Sequence, residues 1–329
     1  MNTRRSQLIL FIFRRVIQSV PVLIGIAATN FLLVNLAPGD AADVLAGEAG
    51  AASAEFMANL RQRYGLDQPF HVRFILYMSK ILTFDLGYSF RYGRPVAELL
   101  LGHLWPTLLL MSTAIFLAFT IGVLLGTMAA RAVNRWPDVI ISITALVAYA
   151  TPVFWLGLMM IVLFSVRLGI LPSSGMENIA AGYTGFRRVA DVAAHLVMPA
   201  TVLALYLTAF MVRLMRASML EVGQQDFVTT ARAKGLSETA IAYRHVLRNA
   251  ILPLVTMLGL QIGAMLGGSV LVETVFGWPG LGRLAYAAVL QRDVNLLLGM
   301  LFVCSLMVIV VNILTEVAYR IVDPRISFE

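Results

Sequence analysis

The stretch "TTARAKGLSETAIAYRHVLRNAILP", residues 229–253, is polar and basic, yet the uncharged apolar runs 196–212 and 251–272 flank it on both sides. A helix needs roughly 17–25 mainly apolar residues to cross the hydrocarbon core of a bilayer, and both runs reach that range. The stretch therefore reads as a loop between two membrane spans. Working outward, four more uncharged runs qualify, at 16–36, 104–130, 139–166 and 296–318. With 59% hydrophobic and 13% charged residues, the composition agrees with an all-α polytopic membrane protein of six transmembrane helices.

Orientation follows from the cations. With the N-terminus inside, fourteen of the 25 Lys and Arg fall on inner segments and eleven on the longer outer ones. Cytoplasmic loops carry the excess of Lys and Arg, so both termini are expected in the cytoplasm. The net charge of +7 is then a topology signal rather than a sign of nucleic-acid binding. Arg4, Arg5, Arg14 and Arg15 ahead of the first run resemble the start of a signal peptide, but the run is long for a removable one and reads as a retained helix.

The chain divides into 1–103, a first helix plus an external cap segment, and 104–323, a membrane core whose cytoplasmic loop spans about 217–250. Within that loop Asp226 is placed to cap a short helix, "FVTTARAK", with Lys234 in its last turn and Gly235 as a left-handed stop. Ser237 caps a second helix. On an α-helical wheel Ala242, Tyr243, Val246 and Leu247 share one arc, while Ile241, Arg244, His245 and Arg248 share the other. Basic amphipathic loops often rest on membrane lipid. Here Thr229, Thr230, Ala231 and Ala233 make a slim surface better suited to a groove on a partner protein.

Inside the spans, Pro21, Pro152, Pro199 and Pro253 mark kinks or ends. Gly259, Gly263 and Gly267 recur every fourth residue, as a helix-packing face does. Tyr206 and Gln261 are the pore candidates, because lone polar tips within spans usually face the bundle or a cavity. No G-x-x-x-x-G-K-[ST] is present, so the chain has no phosphate cradle of its own. The histidines at 71, 103, 195 and 245 are scattered, and the one cysteine, Cys304, lies in the sixth run, so neither a metal site nor a catalytic site is expected.

The loop resembles the cytoplasmic loop of permease subunits of ATP-binding cassette importers, whose pattern is E-A-A-x3-G-x9-I-x-L-P. Thr229, Thr230, Ala231, Gly235 and Leu247 stand at its positions, with Thr for Glu and for the first Ala, His245 for Ile and Arg248 for Pro. "RRVIQSVPVLIGIAATNFLLVNLAPGDAA", "YGLDQPF", "FDLGYSF", "GRPVAELL" and "VETVFGWPGLGRLAYAAVLQRDV" are similar to successive segments of the B-type subunits of the dipeptide, oligopeptide and nickel subfamily.

The resemblance implies a type I importer permease in the bacterial inner membrane, non-catalytic and binding no cofactor. Its expected partners are a second homologous permease, two ATPase subunits that bind ATP-Mg, and an extracytoplasmic solute-binding protein. Asp226, Thr229, Thr230, Ala231, Lys234, Gly235, Ser237, Arg244 and Arg248 would form the ATPase-docking element. Small peptides lead as solute, with nickel, glutathione or opine-like compounds as alternatives. A stand-alone secondary transporter or channel is the rival class, but the spans lack embedded ion-pair relays. An intramembrane enzyme would need a nucleophile and base at one depth, and no such pair is visible.

The inner excess of cations is directly testable. Cysteines placed at Ser53 and Ser173 should react with an impermeant maleimide from outside, and one at Ser237 should not. Outside labelling at 237 would invert the topology.

Overall fold

The computed structural model describes residues 2–36, 67–89 and 91–322. The "APGD" piece, the external segment at 37–66 and Arg325 lie outside the described residues. In chain order the helices are α1 (Asn2–Leu36), α2 (Phe70–Leu82), α3 (Val96–Arg131), α4 (Trp136–Ala150), α5 (Val153–Arg167), α6 (Gly185–Val222), α7 (Asp226–Ala233), α8 (238–250), α9 (Leu252–Val275), α10 (Leu281–Leu290) and α11 (Val294–Val322). A short antiparallel ribbon pairs Tyr88–Ser89 with Arg94–Pro95.

Among the described residues α1, α3, α6 and α11 are each long and apolar enough to cross a membrane, and the α4–α5 pair adds a fifth span. The remaining expected run forms α9, 24 residues whose one charged side chain, Glu273, stands two residues from its end.

The third run departs from the expected straight helix: α4 and α5 are bent by 101° at a break between them. Thr151 and Pro152 there have ψ of 127° and 128°. Proline cannot donate to the helical ladder and pushes the preceding residue out of the helical region, so a break at Thr151-Pro152 has a local cause. The pair still runs from one end of the bundle to the other. Before α4, Arg131 hydrogen-bonds to Thr239 and Tyr243 of the polar loop. Beyond α5, the Gly175 N–H donates to the Phe276 carbonyl at the far end of α9. It is a broken span rather than a re-entrant hairpin.

The described chain forms two compact units. One comprises residues up to Leu104 with Leu284–Val310, the other Trp105–Arg283 with residues from Val311 on. In the first, Phe31 of α1 meets Phe70, Phe74 and Tyr77 of α2 at ring-centroid distances of 5.4 Å each. Ala27, Ile81 and Phe302 form its small core. Asp293 caps α11 through the Leu296 N–H at 3.1 Å and also accepts the Ser89 hydroxyl, tying the ribbon to that helix.

The second unit is organised around α6. Leu203, Leu207, Met211, Met215 and Met219 recur every fourth residue and are all buried, forming one continuous stripe. Two glycines of α3 let the helices touch. A β-carbon at Gly122 would lie 2.4 Å from Met211 Cβ, and one at Gly126 would lie 2.5 Å from Met215 Cβ. The glycine pattern expected in α9 is only partly of this kind: Gly259 abuts Thr315, while a β-carbon at Gly267 would meet nothing within 4 Å.

At the far end of α9 the chain turns through "ETVFGWPGLGR" about a fully buried carboxylate. Glu273 accepts the Thr107 hydroxyl at 2.8 Å and the Arg283 N–H at 3.0 Å. Thr107 in turn accepts the Leu281 N–H at 2.7 Å. These N–H groups open α10, where no intrahelical acceptor exists, so Glu273 and Thr107 serve as its cap from outside. A β-carbon at Gly280 would sit 2.4 Å from the carboxylate, which explains the glycine. The indole N–H of buried Trp278 closes the turn on the Pro106 carbonyl at 2.9 Å.

Glu273→Ala would strand the Thr107 hydroxyl and the Arg283 N–H, each worth about 1–3 kcal/mol when buried without a partner. We expect the variant to lower the melting temperature of the detergent-solubilised protein by more than about 5 °C. Glu273→Gln, which keeps an acceptor, should fall between the two. A parental melting temperature for Glu273→Ala would show that the cap does not hold the turn.

Candidate functional site

The polar loop is a helix, a glycine turn and a second helix, with its inner face built into the bundle. α7 begins at Asp226, and its N-cap is Gln225, not Asp226 as the sequence suggested; neither residue makes a side-chain cap bond. Asp226 instead places its charge in the first turn, which the helix dipole favours. The Thr230 hydroxyl bonds back to the Asp226 carbonyl at 3.0 Å.

The end of α7 fulfils the expectation for Gly235, which has φ +77°. Its N–H donates to the Arg232 carbonyl at 2.9 Å, and the Leu236 N–H reaches the Ala231 carbonyl at 3.4 Å. This nested pair is the Schellman arrangement, which needs a left-handed residue at the turn. Lys234 precedes it, exposed. Ser237 caps the next helix by accepting the Ala240 N–H at 3.3 Å. Across the turn Arg232 grips Glu238 with two bonds, at 2.8 and 3.2 Å. The guanidinium beside it holds the Glu238 carboxyl below its ordinary pKa, so the pair stays ionised near neutral pH.

α8 differs from the regular helix assumed for the wheel. Its middle, Ile241–Val246, is π-helical, with i→i+5 bonding. That winding puts Ile241 and Val246 on one buried face, and Ala250 joins them four residues on. Ile241 therefore points inward rather than sharing the arc of Arg244 and Arg248, which are exposed. Tyr243 is turned outward, and the Arg131 guanidinium lies 5.1 Å from its ring centre. Ala231 departs too: at 5% exposure it joins Val228, Ile241 and Val246 in the main core instead of the slim outer surface. The outer face is formed by Thr229, Thr230, Ala233, Lys234, Gly235, Leu236, Ser237, Arg244 and Arg248.

Two anchors were invisible in the sequence because their partners are far apart along it. Arg131 donates to the Tyr243 hydroxyl at 3.1 Å and to Thr239 at 3.2 Å, pinning the α3–α4 turn to α8. Asp138, buried at the start of α4, takes both ends of the Arg216 guanidinium at 2.6 and 2.7 Å, and the Asn134 N–H at 3.0 Å. The loop, the α3–α4 turn and the end of α6 are thus joined into one platform.

Of the pore candidates, Tyr206 stacks on Tyr149 with centroids 5.3 Å apart and planes at 18°. Gln261 lies half-buried on α9, and no hydrogen bond among the described residues links it to Tyr206. Among the described residues no group of three His, Cys, Asp or Glu could hold a metal ion.

A helical protein with several membrane-crossing segments and an anchored helix–glycine–helix platform on one side belongs to the class of polytopic membrane transport components. Residues 122–328 match the family described as binding-protein-dependent transport system inner membrane component, and residues 8–112 match its N-terminal companion; the chain belongs to this family. It is a permease subunit of an ATP-binding cassette importer, located in the inner membrane and non-catalytic itself.

It is 37% identical over 321 residues to the oligopeptide transport system permease protein AppB of Bacillus subtilis (strain 168), covering 97% of this chain and 99% of that protein. To the glutathione transport system permease protein GsiC of Salmonella choleraesuis (strain SC-B67) it is 39% identical over 319 residues, with 97% and 99% covered. The inward-facing MetNI methionine ABC transporter shares its fold, with a TM-score of 0.55 at 19% identity over 69% of this chain and 97% of that one.

Because a β-carbon at Gly235 would meet nothing within 4 Å, a substitution there is penalised by backbone conformation alone. Gly235→Ala should weaken the turn by about 1 kcal/mol, and Gly235→Val by more. The expected reading is hydrogen exchange of the 226–250 amides faster by about fivefold or more, with membrane abundance unchanged. Lys234→Ala should leave exchange as it is. Equal exchange in Gly235→Val would show that the left-handed turn is not what holds the loop.

Proposed function

We propose that this chain forms half of the translocation pathway for small peptides. A second homologous permease would complete the pathway, two ATP-binding cassette ATPase subunits would drive it, and an extracytoplasmic binding protein would deliver the solute. The observation that carries the reading is the platform 223–250. Its inner face is locked into the bundle through Val228, Ala231, Ile241, Val246 and Ala250, while its outer face presents small and cationic side chains around Gly235. A rigid, slim, polar projection of this kind suits the groove of a cytoplasmic partner, and movement of that partner would be passed to the α3–α4 turn through Arg131–Tyr243 and on between α4 and α6 through Asp138–Arg216. The external segment is the natural landing place for the binding protein.

Peptides as solute are supported by the oligopeptide permease relative. The GsiC relative supports a second reading, glutathione, itself a small peptide-like carboxylate. ATP-Mg would be bound by the partner ATPases, not by this chain.

Reconstitution in proteoliposomes tests this. The complete complex, with ATP on the ATPase side and its binding protein outside, should import labelled di- or oligopeptide, and omission of the ATPase subunits should abolish uptake. The purified permease should hydrolyse no ATP. Uptake without the ATPases would mark a stand-alone transporter, and uptake of glutathione but not of peptides would favour the second reading.

A further inference from the structure

Between the platform and the break in the third span, α4 and α6 carry three polar side chains that the fold leaves uncovered. Tyr149 and Tyr206 are stacked, and they remain 43% and 42% exposed. The Arg213 guanidinium lies over the other ring system, 4.6 Å from the Tyr149 centroid. Its Nε–H donates to the Ala209 carbonyl of its own helix at 3.3 Å. Among the described residues no acidic side chain pairs with it, and its terminal nitrogens make no bond to another described group.

Arg213 stands nine residues before the end of α6, which places it about 14 Å up the helix from the platform, and Tyr206 about 24 Å up. Tyr206 falls within the apolar run 196–212, and Arg213 directly follows it at the end nearer the platform. Its neighbour Arg216, one turn closer to the platform, is satisfied by Asp138, so the contrast between the two arginines is a property of the fold and not of the residue type.

A charged side chain within a membrane-crossing helix normally faces the bundle or a water-filled cavity and marks a solute path. Tyr149 also sits two residues before the Thr151-Pro152 break, and interrupted spans are where transporters build binding sites in mid-membrane. Guanidinium is the side chain best matched to a carboxylate, which it can take with two parallel bonds. The tyrosine beneath Arg213 orients the fork, and the stacked rings offer a flat wall to a peptide plane or an apolar side chain.

From this geometry we infer that Arg213, Tyr149 and Tyr206 form a solute station within the pathway that takes the free carboxylate of a peptide-like substrate as it passes toward the cytoplasm. The inference rests on the peptide-import reading given above and adds a site and its chemistry to it.

The test uses the complete importer in proteoliposomes, with the binding protein preloaded to equal occupancy with a labelled tripeptide or its C-terminal amide. Arg213→Gln should lower uptake of the free acid by about tenfold, the loss of one charge-assisted hydrogen bond, and uptake of the amide by no more than about twofold. Arg213→Lys should restore most of the difference.

If Arg213→Gln does not reach parental abundance in the membrane, Tyr149→Leu carries the test. By removing the ring that orients the guanidinium it should lower the acid-to-amide ratio by about threefold. Equal losses for acid and amide, or no loss for either, would overturn the station while leaving peptide import intact. A parent complex that imports neither peptide would overturn the peptide reading and the station together.

Discussion

A backbone N–H or C=O buried away from water needs a partner, so each buried interruption of a helix in this protein has to be repaired by something else in the chain. That constraint explains features that otherwise look unrelated. At the α9–α10 turn the repair is a buried carboxylate: Glu273 and Thr107 receive the N–H groups that start α10, and Gly280 and Gly282 exist so that they can come close enough. At the Thr151-Pro152 break proline removes one of the donors that would need a partner, and the chain turns by 101°. In the exposed polar loop, where water is available, the turn at Gly235 needs only its own nested backbone bonds and the exposed Arg232–Glu238 pair.

α6 connects these places. One of its faces carries the buried leucine and methionine stripe, against which Gly122 and Gly126 of α3 close. Another holds Arg216 on Asp138. A third leaves Arg213 and Tyr206 uncovered. Because protein interiors are close-packed, a displacement of the platform cannot be absorbed locally at Val228, Ala231 or Ile241, which share their core with Met215 and Met219. Motion delivered to the platform would therefore be passed along α6 toward the level of Tyr206. The π-helical turn at Ile241–Val246 lies at the point of attachment, and its altered winding is what turns two apolar residues five apart toward the same core.

Much of this was legible in the sequence. Apolar runs of sufficient length, separated by charges, determined the membrane class, and the distribution of Lys and Arg supplied an orientation, because the dominant energies there are transfer from water and attraction to one side of the bilayer. Gly235 and Ser237 were readable as turn and cap, since a left-handed stop and an N-cap are local properties of a few adjacent residues. What only the tertiary structure decided are the relations between distant positions: Asp138 with Arg216, Arg131 with Tyr243, Glu273 with Thr107, and Tyr149 with both Tyr206 and Arg213. It also decided the inward turn of Ala231 and Ile241. Helical periodicity could not reveal these, for two physical reasons. Side chains brought together from different helices have no fixed sequence spacing, and the π-helical winding of α8 departs from the α-helical spacing on which a wheel relies.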